Sequence, residues 1–289
     1  MPVLAGPRSV ADLPGGLTNH NLRVTTRTGD YVVRLTQSDA GLLGIDRDAE
    51  HANTRSAAEA GVGAHVVDYR PDLGMLVITF LPGKALTNES IGAPGVIARA
   101  ADAIRRLHAG PRFTGDFDMF TRQAGYLALV RAHGFSLPDG YDAFAPQWER
   151  IRRALAVHPA PTVPCNNDLL AGNFIDDGQR VWLIDYEYSG NNDPAFELGN
   201  TATECDLDDD QVEALVAAYF GEVRPDLLAR VLLQSLVSEY GWSLWGAIQA
   251  AASTLDFDFD GWGQERFDKA VATFRGPRFE RLLIEVTGG

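Results

Sequence analysis

The chain has 289 residues, 45% of them apolar, and a formal net charge of −14. That length exceeds what one compact core usually fills, so two lobes are expected. The acidic balance argues against nucleic acid or an anionic membrane surface as a partner and suits a small cationic molecule. No run reaches the roughly 20 apolar residues of a membrane span. The start, Met1-Pro2-Val3-Leu4, lacks the charged-then-apolar pattern of a secretory leader, so the expected compartment is cytoplasmic. Cys165 and Cys205 are too few for a disulfide framework and show no zinc-like spacing.

In chain order, residues 17 to 35 read as a β-hairpin. Leu22–Thr26 and Tyr31–Leu35 are rich in β-branched residues, and Thr28-Gly29-Asp30 supplies the turn. A helix is expected from Asp46 to Ala60, stopped by Gly61, followed by strands at His65–Tyr69 and Met75–Phe80. Pro82-Gly83 then breaks the chain and reads as a lobe boundary, dividing residues 1–81 from 82–289. The rest is mainly helical, with helices expected at 97–108, 117–134, 141–157, 194–205, 209–220, 225–252 and 263–275. One island of β character interrupts them, Asn173 to Asp185. The fold class is α+β: a small sheet-plus-helix lobe, a hinge and a larger helical lobe.

The island carries the chemistry. Asp168 and Asn173 form Asp-x4-Asn, and Asp185 ends the apolar run Val181-Trp182-Leu183-Ile184. A hairpin turning near residue 179 sets position 173 opposite position 185, which brings together two oxygen ligands of the kind Mg²⁺ prefers, with Asp168 at the mouth. Alone, Asp-x4-Asn reads as a loop of turns and caps. With the strand-end Asp185 it becomes the catalytic-base and metal-ligand pattern of phosphoryl transfer. Three further features keep the matching order. Gly15-Gly16-Leu17-Thr18-Asn19 is a turn able to approach phosphates, Arg34 is a strand cation, and Glu50 lies on the next helix. The acidic stretch Asp256 to Gly261 mimics a Ca²⁺ loop but has Phe267 where Glu is needed, so it reads as a helix connection. Asp208-Asp209-Asp210 reads as a helix start.

The run Cys165 to Asn200, with Asn-Asn-Asp-Leu-Leu-Ala-Gly-Asn and Ile-Asp-Tyr-Glu-Tyr-Ser-Gly-Asn-Asn, resembles the choline/ethanolamine kinases, which belong with the aminoglycoside phosphotransferases in the protein-kinase-like fold. The glycine turn, the hinge Phe80-Leu81-Pro82-Gly83 and the segment Trp242-Ser243-Leu244-Trp245 extend it over most of the chain. The resemblance implies that Asp168 is the catalytic base, that Asn173 and Asp185 bind Mg²⁺, and that Arg34, oriented by Glu50, contacts ATP phosphates. It also implies that Thr18 and Asn19 lie over the phosphates and that the backbone of Phe80 and Leu81 meets adenine. Two positions depart: Asn166 stands where the family usually has His, and Glu197 where relatives commonly have Asp.

A quaternary ammonium donates no hydrogen bonds and is held by aromatic faces helped by a carboxylate. Trp242 and Trp245 share a helix face, Trp262 begins the next helix, Tyr188 follows Asp185 by three, and Glu204 lies on the helix after the metal-binding strand. The resemblance implies that these five form the pocket for choline, the leading substrate. Leu170 and Asp209 stand where relatives place further contacts. Ethanolamine, another amino alcohol, an aminoglycoside or a sugar remain alternatives on the same fold, as does a non-catalytic binding module, against which the intact Asp168, Asn173 and Asp185 argue.

Overall fold

Alternating apolar side chains build the first sheet. In the computed structural model, which describes residues 2–13, 19–36 and 42–288, β1 (Ser9–Leu13), β2 (Asn19–Thr26), β3 (Gly29–Thr36), β4 (Val66–Arg70) and β5 (Met75–Thr79) form an antiparallel sheet of order β1-β2-β3-β5-β4. Val24, Tyr31, Val33 and Val77 meet on its buried face. The connection from β3 to β4 contains α1 (Arg47–Glu59), opened by Asp46, whose carboxylate accepts the amides of Asp48 and Ala49 at 3.0 Å each. The hairpin, helix and two strands expected here are all present. β1 was not expected, because four of its five residues are exposed and no apolar alternation marks them. Gly15, Gly16, Leu17 and Thr18 lie outside the described residues.

After β5 come β6 (Lys84–Ala85), α2 (Asn88–Ile91), α3 (Pro94–His108), α4 (Met119–His133) and α5 (Ala145–Val157). The short strands β7 (Val163–Cys165), β8 (Phe174–Asp176), β9 (Val181–Leu183) and β10 (Gly190–Asn192) follow. The chain ends in α6 (Pro194–Glu204), α7 (Asp209–Phe220), α8 (Pro225–Ala252), α9 (Phe259–Phe274) and α10 (Pro277–Val286). The single β island becomes two small sheets, β6-β8-β9 and β7-β10. Strands of two or three residues carry too little periodicity to announce themselves. α9 starts at Phe259 rather than near 263, because Asp258 in the acidic connection caps it, accepting the Gly261 amide at 2.9 Å. Asp208 likewise caps α7, in a capping box with Gln211.

The hairpin register corrects one expectation. Phe174 pairs with Leu183 and Asp176 with Val181, so Asn173 lies opposite Ile184, whose amide donates to the Asn173 carbonyl at 3.0 Å. Asp185 comes one residue later, with its backbone in the left-handed region at φ 67°. The strand therefore ends by turning at Asp185 rather than by pairing it.

α8 is the central post, buried from Leu236 through Gln249 and packed by α6, α9, α4 and α10. Two glycine contacts let its neighbours approach. A Cβ on Gly199 of α6 would lie 2.6 Å from the Ser235 amide nitrogen and 2.7 Å from the Val231 carbonyl oxygen. One on Gly246 would lie 2.8 Å from the Gly263 Cα of α9. These contacts fix the spacing of the helices that carry Glu197, Trp245 and Trp262. Gly199→Ala is expected to cost about 1–3 kcal/mol through overpacking against α8 backbone, read as a lowered urea midpoint. An unchanged midpoint would mean that α6 does not pack this closely.

Candidate active site

A cavity of about 810 Å³ opens between the five-stranded sheet and the helices, with Arg34, Asp168, Asn173 and Asp185 along its middle. Phe80 and Leu81, just after β5, line it, as do Tyr188, Glu204, Trp242, Trp245 and Trp262 from the helical part. Asn19 and Glu50 stand behind this wall, both buried.

The loop that presents Asp168 is held from below by buried polar groups. Both carboxylate oxygens of Glu197, in the first turn of α6, accept consecutive backbone amides, Asn166 and Asn167, at 2.7 Å each. Asn167 sits in the left-handed region at φ 67°, and its carboxamide donates to the Cys165 and Tyr188 carbonyls. Asn166, at the family's usual His position, donates to the carbonyls of Ile184 and Asp185 at 3.1 and 2.7 Å and accepts the Asp168 amide at 3.1 Å. One side chain thus joins the loop of Asp168 to the strand end of Asp185. Asn200 accepts the Leu169 amide at 2.9 Å, and the Asn173 carboxamide donates to the Asp168 carbonyl at 2.8 Å. Both cysteines flank this loop: the Cys165 thiol lies 3.5 Å from His108 Nε2, and the Cys205 thiol lies 3.6 Å from the Leu169 carbonyl.

Charge concentrates above the loop. Arg34 Nη1 lies 2.5 Å from Glu50, 3.0 Å from Asp185 and 3.9 Å from Glu187. Arg47 bridges Glu50 and Glu187 at 2.8 and 2.5 Å, and the Asn19 carboxamide also donates to Glu187. Burial opposes the charge on Arg34, but Asp185, Glu50 and Glu187 outweigh it and hold the guanidinium above its ordinary range. Burial lifts Asp185 to about 6, countered by Arg34 and reinforced by Glu187 and Glu50; Glu187 is lowered, because Arg34 and Arg47 outweigh its burial. Asp168 is raised well above the usual carboxylate range by burial first, then by Glu204, Asp185 and Glu187. Such a shift makes it a stronger proton acceptor than a solvated carboxylate. Sequence reasoning missed Glu187 and Arg47. The available signals were the Asp-x-Glu spacing from Asp185 and the i, i+3 spacing from Arg47 to Glu50.

On the helical side the four aromatic residues do converge. Trp242 meets Tyr188 edge-on with centroids 4.9 Å apart, Trp245 meets Trp262 at 5.3 Å, and the Trp245 indole donates to the Tyr188 hydroxyl at 2.8 Å. Glu204 is not a lone negative charge, however. Arg266, unnoticed in the sequence, binds it through two nitrogens and lies 3.7 Å from the Trp262 centroid. Arg122 likewise lies 5.4 Å from the Tyr188 centroid. Leu170 lines the cavity, whereas Asp209 pairs with Arg278 at 2.8 Å, away from it.

Behind this wall Glu239 of α8 accepts from Thr203 at 2.8 Å, and burial raises it to about 7 against the pull of Lys269 and Arg266. A carboxyl whose folded value lies above its unfolded value of 4.5 binds more protons in the folded state. Its contribution is therefore full below that value and is lost as pH climbs towards 7, a change of about 3 kcal/mol. Glu239→Gln should flatten the fall in urea midpoint between pH 5 and pH 8 and should be the more stable protein at pH 8. Parallel pH profiles for the two proteins would contradict this.

A profile of the phosphotransferase enzyme family (APH) matches residues 9–230. The chain is 28% identical over 277 residues to ethanolamine kinase 1 of Homo sapiens, covering 82% of this chain and 60% of that protein's length. It is 25% identical over 312 residues to the choline/ethanolamine kinase of Rattus norvegicus, covering 90% and 78%. Among solved structures, a choline/ethanolamine kinase family protein from Mesorhizobium loti superposes with a TM-score of 0.87 at 36% identity over 99% of this chain and 94% of that one. The choline kinase LicA from Streptococcus pneumoniae, 23% identical over 92% and 93%, shares the fold at 0.79. No helix among the described residues is long and apolar enough to cross a membrane. A family profile over most of the chain, together with a 36% identical relative of the same extent and a two-lobed protein-kinase-like architecture, establishes that this chain belongs to the phosphotransferase enzyme family, and within it to the choline/ethanolamine kinase family of small-molecule kinases.

Proposed function

We propose that the protein transfers the γ-phosphoryl group of ATP to the hydroxyl of a small amino alcohol, choline foremost, giving phosphocholine and ADP. The observation that carries this reading is one cavity whose wall brings a basic carboxylate, Asp168, together with Arg34, Asp185 and Glu187 and with four aromatic rings. Asp168 takes the proton of the attacking hydroxyl as its oxygen bonds to phosphorus and the bond to ADP breaks. Arg34, kept in line by Glu50, holds phosphate oxygens. Thr18, outside the described residues, and Asn19, at the start of β2, are assigned to the phosphates by the family resemblance. The Phe80 amide already donates to the Asp30 carbonyl at 3.0 Å, which leaves the Phe80 carbonyl and the Leu81 amide for adenine. Residues 1–81 serve the nucleotide and residues 82–289 the substrate and catalysis.

The donor chemistry suits Mg²⁺. Asp185 offers a carboxylate and Asn173 a carboxamide on the wall of the same cavity, and the oxygens of Glu50, Asp185 and Glu187 lie within 4.8 Å of one another, an excess of negative charge that favours a cation. Asn173 and Asp185 would hold the ion, which when bound neutralises charge on the phosphates.

The four rings favour a methylated ammonium. The Glu204 carboxylate favours ethanolamine as the second reading, since a primary ammonium donates hydrogen bonds to it.

Asp168→Asn should leave the ATP dissociation constant nearly intact and cut turnover by roughly 10²–10⁴-fold; near-normal turnover would remove Asp168 from the mechanism. In Trp245→Leu, kcat/KM for choline should fall by roughly 2–30-fold, more than for ethanolamine. Equal losses would indicate packing damage instead. Activity of the parent on an aminoglycoside or sugar, with none on either amino alcohol, would sink the substrate assignment.

A further inference from the structure

Glu204 occupies a position hostile to a carboxylate. It is the last residue of α6, where the helix dipole disfavours negative charge. Its side chain is 6% exposed, and it shares the cavity wall with Asp168. Glu239 faces it from α8. What opposes all this is Arg266, one turn along α9 from Trp262 and therefore on the same helix face. Its Nε and Nη2 donate to the two carboxylate oxygens of Glu204 as a fork, and its guanidinium carbon sits over Trp262, 3.7 Å from the ring centroid. Its own side chain is 11% exposed.

We propose that Arg266 is the positioning residue of the ammonium site: one guanidinium fixes both the acidic and an aromatic component, holding the Glu204 carboxylate aimed into the cavity while clamping Trp262 from one face. The inference rests on the amino-alcohol reading above and assigns Arg266 no contact with the substrate. Without the fork, Glu204 loses the two hydrogen bonds that aim it and turns away, so its carboxylate no longer meets a cationic substrate. Trp262 loses the plate against which it is stacked. Lysine restores the charge but has neither the fork nor the planar stacking surface.

The test compares the parent with Arg266→Met and Arg266→Lys, in steady-state kinetics with ATP and either choline or ethanolamine, and in tryptophan-fluorescence titrations with tetramethylammonium chloride. Arg266→Met should raise KM for the amino alcohol by about tenfold or more, with kcat and KM for ATP within about twofold of the parent. Tetramethylammonium binding should weaken in parallel, and Arg266→Lys should recover part of the loss. An unchanged KM for the amino alcohol overturns the proposal. So does a lowered one, which would make Arg266 a screen of Glu204 rather than its support. A joint rise in both KM values with a lowered melting temperature overturns it too, in favour of a packing role alone. A parent protein that neither turns over either alcohol nor responds to tetramethylammonium refutes the amino-alcohol reading itself, and this proposal with it.

Discussion

A buried carboxylate accepting two consecutive backbone amides is the interaction on which the site depends. Glu197 reaches from the first turn of α6 to the amides of Asn166 and Asn167, and so fixes the loop whose next residue is Asp168. The geometry is demanding: Asn167 must adopt a left-handed backbone, which an isolated chain would disfavour. Its carboxamide in turn holds the carbonyls on either side. Asn166 then carries the constraint across to Asp185. At the usual His position a carboxamide offers both a donor and an acceptor, so it grips two carbonyls with one end and the Asp168 amide with the other. The departure from the family pattern therefore leaves the loop and the strand end joined.

Arginines recur around the cavity as the counter-charges of its carboxylates in a protein of net charge −14, Arg34 and Arg47 each through Nη1 and Arg266 as a two-nitrogen fork. Arg34 and Arg47 gather Glu50, Asp185 and Glu187; Arg266 gathers Glu204. A guanidinium beside a buried acid offsets the cost of burying its charge and keeps the bonded oxygen in a fixed direction. Burial, reinforced by neighbouring acids, lifts Asp168 and Asp185, whereas Arg34 and Arg47 together outweigh the burial of Glu187 and lower it.

Much of this was legible in the residues. The hairpin, the amphipathic helices and the Asp168, Asn173, Asp185 spacing are local patterns, and local patterns survive folding. So did the pairing of Arg34 with Glu50, because their order along the chain follows a family arrangement. What was not legible is what depends on long-range approach. β1 has no apolar alternation, the strands β7 and β10 are three residues each, and the hairpin register differed by one residue from the symmetric guess. Arg266 lies 62 residues from Glu204, and nothing in its own surroundings marks it as a partner. Asp209 shows the converse: a position assigned to the pocket by resemblance instead ties α7 to the residue after Pro277 at the start of α10.

The two cysteines add a practical handle. Both thiols are buried and pushed above their ordinary range by that burial, so the reactive thiolate is scarce in the folded protein. They bracket the Asp168 loop, Cys165 three residues ahead of it and Cys205 against the Leu169 carbonyl just behind it. Alkylation by iodoacetamide can then proceed only when this part of the molecule opens. The labelling rate becomes a clock for the excursions of the loop.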